Sequence, residues 1–337
     1  MDSNNIPMKK KRKFKKIKSK ANLSKINSKY ILMIIFDILQ SKNKLNIIKY
    51  NKNLQNKLNI NLNDYAEYSQ IYSPIIIELI PKENTFGKFI NINKSKDASF
   101  FHIYYNNKKK ETKKRKRNFL KENTTIKKIK IKIDYQIISF YQLFSDCKCI
   151  ESINIIKFTR TNINNMCCMF SGCSSLKEIN FENFNTNNVI NMSYMFFNCS
   201  SLLEVNFPFI NTDNLIEMSY MFFDCSSLKK IDLSNFNTNN VKHMDNLFYG
   251  CSSLEELNLS NFNTENVTDM SYMFCKCASL KELNILNFNI SKVFNMSYMF
   301  YGCSSLIELN FTFNINRKTN IMSIFDGCSD ELKNKYI

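Results

Sequence analysis

The 337-residue chain has no tryptophan, five glycines, four prolines and two histidines. Each scarcity removes a class of function. With so little glycine there is no glycine-rich phosphate loop and no nucleophile elbow. With only His102 and His243, set far apart, no histidine-bearing catalytic triad can be assembled. The same two histidines argue against a structural zinc site. Cys147 and Cys149, Cys167 and Cys168, and Cys275 and Cys277 are close pairs, but they lack the two-pair spacing of a finger. No enzyme activity, cofactor or metal is therefore expected. Long apolar runs are missing too. The first, YILMIIFDIL at 30–39, is too short to span a bilayer and contains Asp37. No adequate apolar segment closely follows the basic start, so neither a secretory signal nor a transmembrane helix is read. An intracellular location, cytoplasmic or nuclear, is the expectation, with reduced thiols.

What the chain does have is charge, unevenly shared. Its formal net charge is +18, but residues 1–142 hold 33 Lys and Arg against 10 acids, and the remainder holds 14 against 19. Such asymmetry points the amino-terminal part toward something anionic, such as a nucleic acid, a membrane surface or an acidic protein. The wealth of Lys, Asn, Ile, Phe and Tyr is also what an AT-biased coding sequence would produce. Two basic stretches stand out: Lys9, Lys10, Lys11, Arg12 and Lys13, and Lys113, Lys114, Arg115, Lys116 and Arg117. Either would serve as an anion-binding patch, and the first is similar to a short nuclear-import signal. Neither carries a groove-reading helix or an aromatic nucleic-acid signature.

From residue 147 onward the chain repeats itself. Cys147, Cys173, Cys199, Cys225, Cys251, Cys277 and Cys303 follow at intervals of 26, and Cys328 comes 25 later. A fixed period of this length means a solenoid or array. In residues 244–269, Met244, Leu247, Phe248 and Cys251 lie at i, i+3, i+4 and i+7, one face of a two-turn helix. Asn191 and Asp269 are examples of residues placed to cap such helices. Leu254, Leu257 and Leu259 then set up a short strand, with Glu256 and Asn258 outward. One repeat cannot bury its apolar side alone, whereas stacked repeats can, with strands in parallel about 4.8 Å apart. The cysteine becomes the small apolar member of an inward column. The rung spacing also lies within the Cα separation that disulfides tolerate, which leaves oxidised pairing as the alternative.

Ahead of the repeats, residues 1–21 read as a basic tail. Residues 22–142 read as a small α+β cap domain, with helices within SKYILMIIFDILQ and KLNIIKYNKNLQNKL and strands at PIIIELI, KFINI, FFHIYY and IKKIKIKI. The repeats occupy 143–328, and 329–337 form a carboxy-terminal cap or tail. The fold class is thus an α/β repeat solenoid, a parallel sheet with short helices on the other side, preceded by an α+β cap.

The recurring MSYMFxxCSSLxxLxLSNFNTxNV resembles the 26-residue-repeat branch of the BspA-like leucine-rich-repeat proteins over residues 143–328. The resemblance implies a leucine-rich-repeat solenoid that binds other proteins or host components at a cell surface. The chain departs from that pattern in showing no export signal.

The expected function is non-enzymatic protein binding by a monomer through the exposed strand face. Candidate contacts are Glu178, Glu204, Lys230, Glu256, Glu282 and Glu308, and beside them Asn180, Asn206, Asp232, Asn258, Asn284 and Asn310. Stacked asparagines can also bond one another, so a structural ladder competes with recognition. On the other side Tyr194, Phe197, Tyr220, Phe223, Tyr249, Tyr272, Tyr298 and Tyr301 form either a sticky stripe or a joint between neighbouring repeats.

Overall fold

A computed structural model describes residues 51–58, 70, 73–92, 97–106, 108, 118–122, 125–313 and 317–336. The basic stretches at 9–13 and 113–117 lie outside them, as does most of the helical part expected before residue 58. The chain divides into two compact units, 1–68 and 69–337. Of the first, the described residues form helix α1 (Lys52–Lys57). The side chain of Asn51 caps it by accepting from the Leu54 N–H (3.1 Å), and Leu54 is buried.

The regular structure of the second unit is mostly strand, and from residue 143 onward it is arranged as a repeat. Its first strands are β1 (Ile75–Pro81), β2 (Gly87–Lys88), β3 (Phe101–Tyr105), β4 (Phe119–Leu120) and β5 (Ile129–Ile133). Alternation decides what they bury: Ile129, Ile131 and Ile133 are buried while Lys130 and Lys132 are half-buried. Of the KFINI stretch only Lys88 lies in a strand, as the second residue of β2. A five-stranded sheet runs in the order β3-β5-β1-β6-β7, where β6 is Ile150–Lys157 and β7 is Glu178–Asn180. Its first three pairings are antiparallel, and β6 pairs with β7 in parallel. One sheet therefore crosses from the non-repeating strands into the repeats.

Each later repeat contributes one short strand: β8 (Glu204–Val205), β9 (Lys230–Asp232), β10 (Glu256–Asn258), β11 (Glu282–Asn284) and β12 (Glu308–Asn310). The parallel register advances by one repeat, as in Leu257 opposite Ile231 and Leu283 opposite Leu309. A second line of parallel bridges runs from Asn165 through Asn191, Glu217, His243, Asp269 and Asn295 to Asn320.

The segments expected to be two-turn helices are chains of tight turns instead. Met166–Cys173 shows why. Cys168, Phe170 and Gly172 donate their N–H groups forward to Ser193, Met195 and Phe197 of the next repeat, at 2.7–2.9 Å. Between them, Met169, Ser171 and Cys173 close local turns onto Met166, Cys168 and Phe170. A helix would need every N–H four residues back along its own chain. Positive φ at Cys168 (58°) and Gly172 (72°) breaks that path, and the same pair of positions recurs at Tyr194 and Asn198, and at Asn246 and Gly250. The i, i+3, i+4, i+7 spacing nonetheless buries what it was expected to bury: Met244, Leu247, Phe248 and Cys251 are all fully enclosed.

Three columns hold the interior together. Phe144, Phe170, Phe196, Phe222, Phe248, Phe274, Phe300 and Phe325 stack ring on ring, with centroids 5.4–5.9 Å apart. Stacked aromatic pairs contribute about 0.5–1.5 kcal/mol each beyond area burial. The eight column cysteines are buried and free. From Cys173 onward each thiol donates to a phenylalanine carbonyl of the preceding repeat, as Cys225 does to Phe196 (3.2 Å) and Cys251 to Phe222 (3.1 Å). The third column is threonine. The hydroxyls of Thr186, Thr212, Thr238 and Thr264 donate to the carbonyls of Asn211, Asn237, Asn263 and Asn289, and accept from the N–H groups of the same residues. Helix α2 (Asp330–Tyr336) follows the last repeat, with Leu332 buried and Tyr336 stacked near Phe313 and Phe325.

Candidate functional site

The strands project alternate residues to one exposed face, because successive side chains in a strand point opposite ways. Ile179, Val205, Ile231, Leu283 and Leu309 go inward. Glu178, Glu204, Lys230, Glu256, Glu282 and Glu308 are exposed outward, and so are Asn180, Asn206, Asp232, Asn258 and Asn284, while Asn310 is half-buried. Parallel register sets equivalent residues opposite one another, as with Glu282 and Glu308, or Glu256 and Lys230.

The second column has a structural task. The side-chain oxygens of Asn180, Asp232, Asn258 and Asn284 accept the N–H two residues on, at Glu182, Ser234, Ser260 and Leu286 (2.8–3.3 Å). These bonds turn the chain out of each strand. Asp232 is held below its ordinary carboxylate range by the Ser234 hydroxyl first and by the Ser234 N–H second. The expected rung-to-rung contact between asparagines occurs elsewhere, where Asn263 donates to Asn239 (2.8 Å) beside the threonine column.

A third column on the strand face was not singled out in the sequence. Lys177, Leu203, Lys229, Glu255, Lys281 and Ile307 immediately precede the outward residues of their strands and are exposed. Backbone bonds set them in line, Leu203 N–H to Lys177 C=O and Lys229 N–H to Leu203 C=O, both 3.2 Å. Lys177 pairs with Glu151 at 2.6 Å. The acidic column is thus flanked by three lysines and two exposed aliphatic residues. Shallow depressions of about 410 and 560 Å³ indent the face, the first around Asn154, Asn180 and Asn206 and the second around Leu203, Lys177 and Lys229.

On the opposite side Tyr194 lies 4.6 Å above Tyr220, Phe223 4.4 Å from Tyr249, and Tyr272 4.7 Å from Tyr298, each pair stacked with its ring planes nearly parallel. Tyr194, Phe197, Tyr220, Phe223, Tyr249, Tyr272 and Tyr298 are half-buried, so these rings bridge the joints between repeats; Tyr301 is exposed.

His102 bonds Asp134 through Nε2 (2.9 Å), and His243 lies 3.8 Å from Glu217 in the bridge line. Among the described residues no group of three or more His, Cys, Asp or Glu is placed to hold a metal ion. Cys275, enclosed by the chain of turns, is 1% exposed, and burial pushes its thiol up to about 11. No described helix is long and apolar enough to cross a membrane.

No curated protein and no solved structure matches the chain. A family model described as "Mycoplasma protein of unknown function, DUF285" matches residues 138–232 and again 216–336, together more than half the chain and the whole of the repeating part. The protein whose repeats stack in this way belongs to the DUF285 family.

Proposed function

We propose that the repeats form a leucine-rich-repeat type solenoid of the BspA-like kind, and that it acts as a non-enzymatic binding module for another protein, using the strand face. One observation carries the reading. The strand face repeats an exposed charged column and an exposed mixed column at a fixed register over successive repeats, and extended regular faces are where repeat proteins bind. Because Asn180, Asp232, Asn258 and Asn284 spend their side-chain oxygens on turns, contact energy rests on the carboxylates and on Leu203, Lys177 and Lys229. The partner is a protein segment with basic residues for the glutamates and an apolar residue for Leu203. The chain acts as a monomer inside the cell.

The test is a pair of charge reversals. Glu256→Lys with Glu282→Lys should abolish retention of a partner bound by the full-length chain, while Glu265→Lys, exposed in a turn outside the strands, should leave it intact. Modest weakening between low and physiological salt is expected. A steep salt dependence indifferent to the strand-face reversals would favour phosphate binding by the basic amino-terminal region instead.

A further inference from the structure

Ten of the twelve cysteines are buried; Cys167 and Cys168 are half-buried. Packing does not account for these two. At the equivalent places the neighbouring repeats carry Ser193 and Tyr194, then Ser219 and Tyr220, and the tyrosines stack on one another. Cys168 stands where a further ring would continue that stack. The backbone of the pair is fixed on both sides. Cys167 donates its N–H to Asn165 Oδ1 (2.9 Å) and its carbonyl accepts from Gln142 (3.1 Å). Cys168 donates to the Ser193 carbonyl (2.9 Å) and accepts from Ser171 (3.2 Å), with φ at 58°. In this frame the two sulfurs lie 3.3 Å apart in hydrogen-bonding contact.

We propose that Cys167 and Cys168 form a hydroperoxide-reactive dithiol, with Cys168 the attacking sulfur and Cys167 the resolving one. The Cys168 thiolate attacks the terminal oxygen of a hydroperoxide: an S–O bond forms, the O–O bond breaks, and the departing alkoxide or hydroxide takes up a proton. The Cys167 thiol then gives up its proton and attacks Sγ of Cys168. An S–S bond forms, the S–O bond breaks, and the hydroxide released is protonated to water. Two thiols and one hydroperoxide become one disulfide, one alcohol and one water, with two electrons passing from sulfur to oxygen.

Electrostatics support the division of labour. The bond from Cys167 holds the Cys168 thiol below the ordinary thiol range, while the same bond, followed by burial, raises Cys167. The pair loses its first proton more readily than a lone thiol and its second less readily. Adjacent Cα atoms are about 3.8 Å apart, closer than the roughly 4.4 Å at which most disulfides begin. The oxidised pair is therefore strained and returns to dithiol under ordinary thiol reductants.

Hydrogen peroxide, dimedone and iodoacetamide on the full-length reduced chain, read by peptide mass mapping, test this. Iodoacetamide should label the pair at least about tenfold faster than buried Cys225. After peroxide, labelling at both sites should vanish and return with dithiothreitol. The Cys167→Ser variant, its fold checked by circular dichroism, should accumulate a dimedone adduct at Cys168 that the wild type does not; Cys168→Ser should not form one at Cys167. Persistence of both free thiols after peroxide, oxidation of Cys225 at the same rate, or identical dimedone trapping in wild type and Cys167→Ser would each overturn the proposal.

Discussion

Replacing Thr238 with valine keeps the side chain's shape and removes its oxygen. That oxygen donates to the Asn263 carbonyl (2.9 Å) and accepts from the Asn263 N–H (2.7 Å), so one atom serves two backbone groups of the next repeat. Thr238→Val should cost about 1–3 kcal/mol. Thr268→Val, at a half-buried site held by backbone bonds, should stay within about 0.5 kcal/mol in the same urea titration. The cysteine column makes stability depend on alkali. Burial raises Cys173 from an ordinary 9.0 to about 12 and Cys328 to about 11. The folded protein thus keeps protons that the unfolded chain releases above pH 9, and stability, full below that pH, should fall as pH rises from 9 toward 12. Urea midpoints measured across that range should drop, and replacing Cys173 with alanine should flatten the decline.

At the scale of the turn segment, the decisive residues precede the column cysteines. Gly250 and Gly302 have nearly the same φ, 73° and 71°, but different surroundings. A Cβ at Gly250 would collide with the Asp224 carboxylate, whereas at Gly302 it would meet the Lys276 side chain at an ordinary 3.5 Å. Gly302→Ala should cost about 1 kcal/mol for the left-handed backbone alone. Gly250→Ala should cost more, and the excess should vanish in an Asp224→Gly background, as a double-mutant cycle of thermal melts would show. These residues also mark how far the sequence could be read. Period, parallel register, inward Met, Phe and Cys, and the outward glutamates were all legible, because side-chain burial follows spacing whatever the backbone does between. The turns were not read, because apolar spacing alone does not separate two helical turns from a chain of tight ones. Yet Gly172, Asn198, Asp224, Gly250 and Gly302, each just before its cysteine, are residues that tolerate positive φ, and that was the available signal. The lysine and leucine column escaped for the opposite reason: Lys177, Leu203 and Glu255 share a position but no chemistry, so only geometry aligns them.

At the scale of the whole molecule, the contacts of the repeats pass mainly from one repeat to the next. Removing residues 218–243 joins equivalent positions and should leave a folded, shorter protein with a cooperative melt, while removing 13 residues would set buried positions against exposed ones and abolish it. The carboxy-terminal end should be the vulnerable one. Leu332 is buried, and Tyr336 packs on Phe313 and Phe325 with its hydroxyl bonded to the Leu309 carbonyl. Truncation after Ser329 uncovers those rings, and size-exclusion chromatography should show the shortened chain associating. The 26-residue step kept from Cys147 to Cys303 has a further consequence, for heredity. A replication slip that duplicates one unit adds a whole number of codons and a segment whose upper and lower surfaces already match its neighbours. Such a gene can lengthen or shorten its product by whole units without passing through a misfolded ancestor, so selection can tune the span of the protein as readily as it tunes a residue.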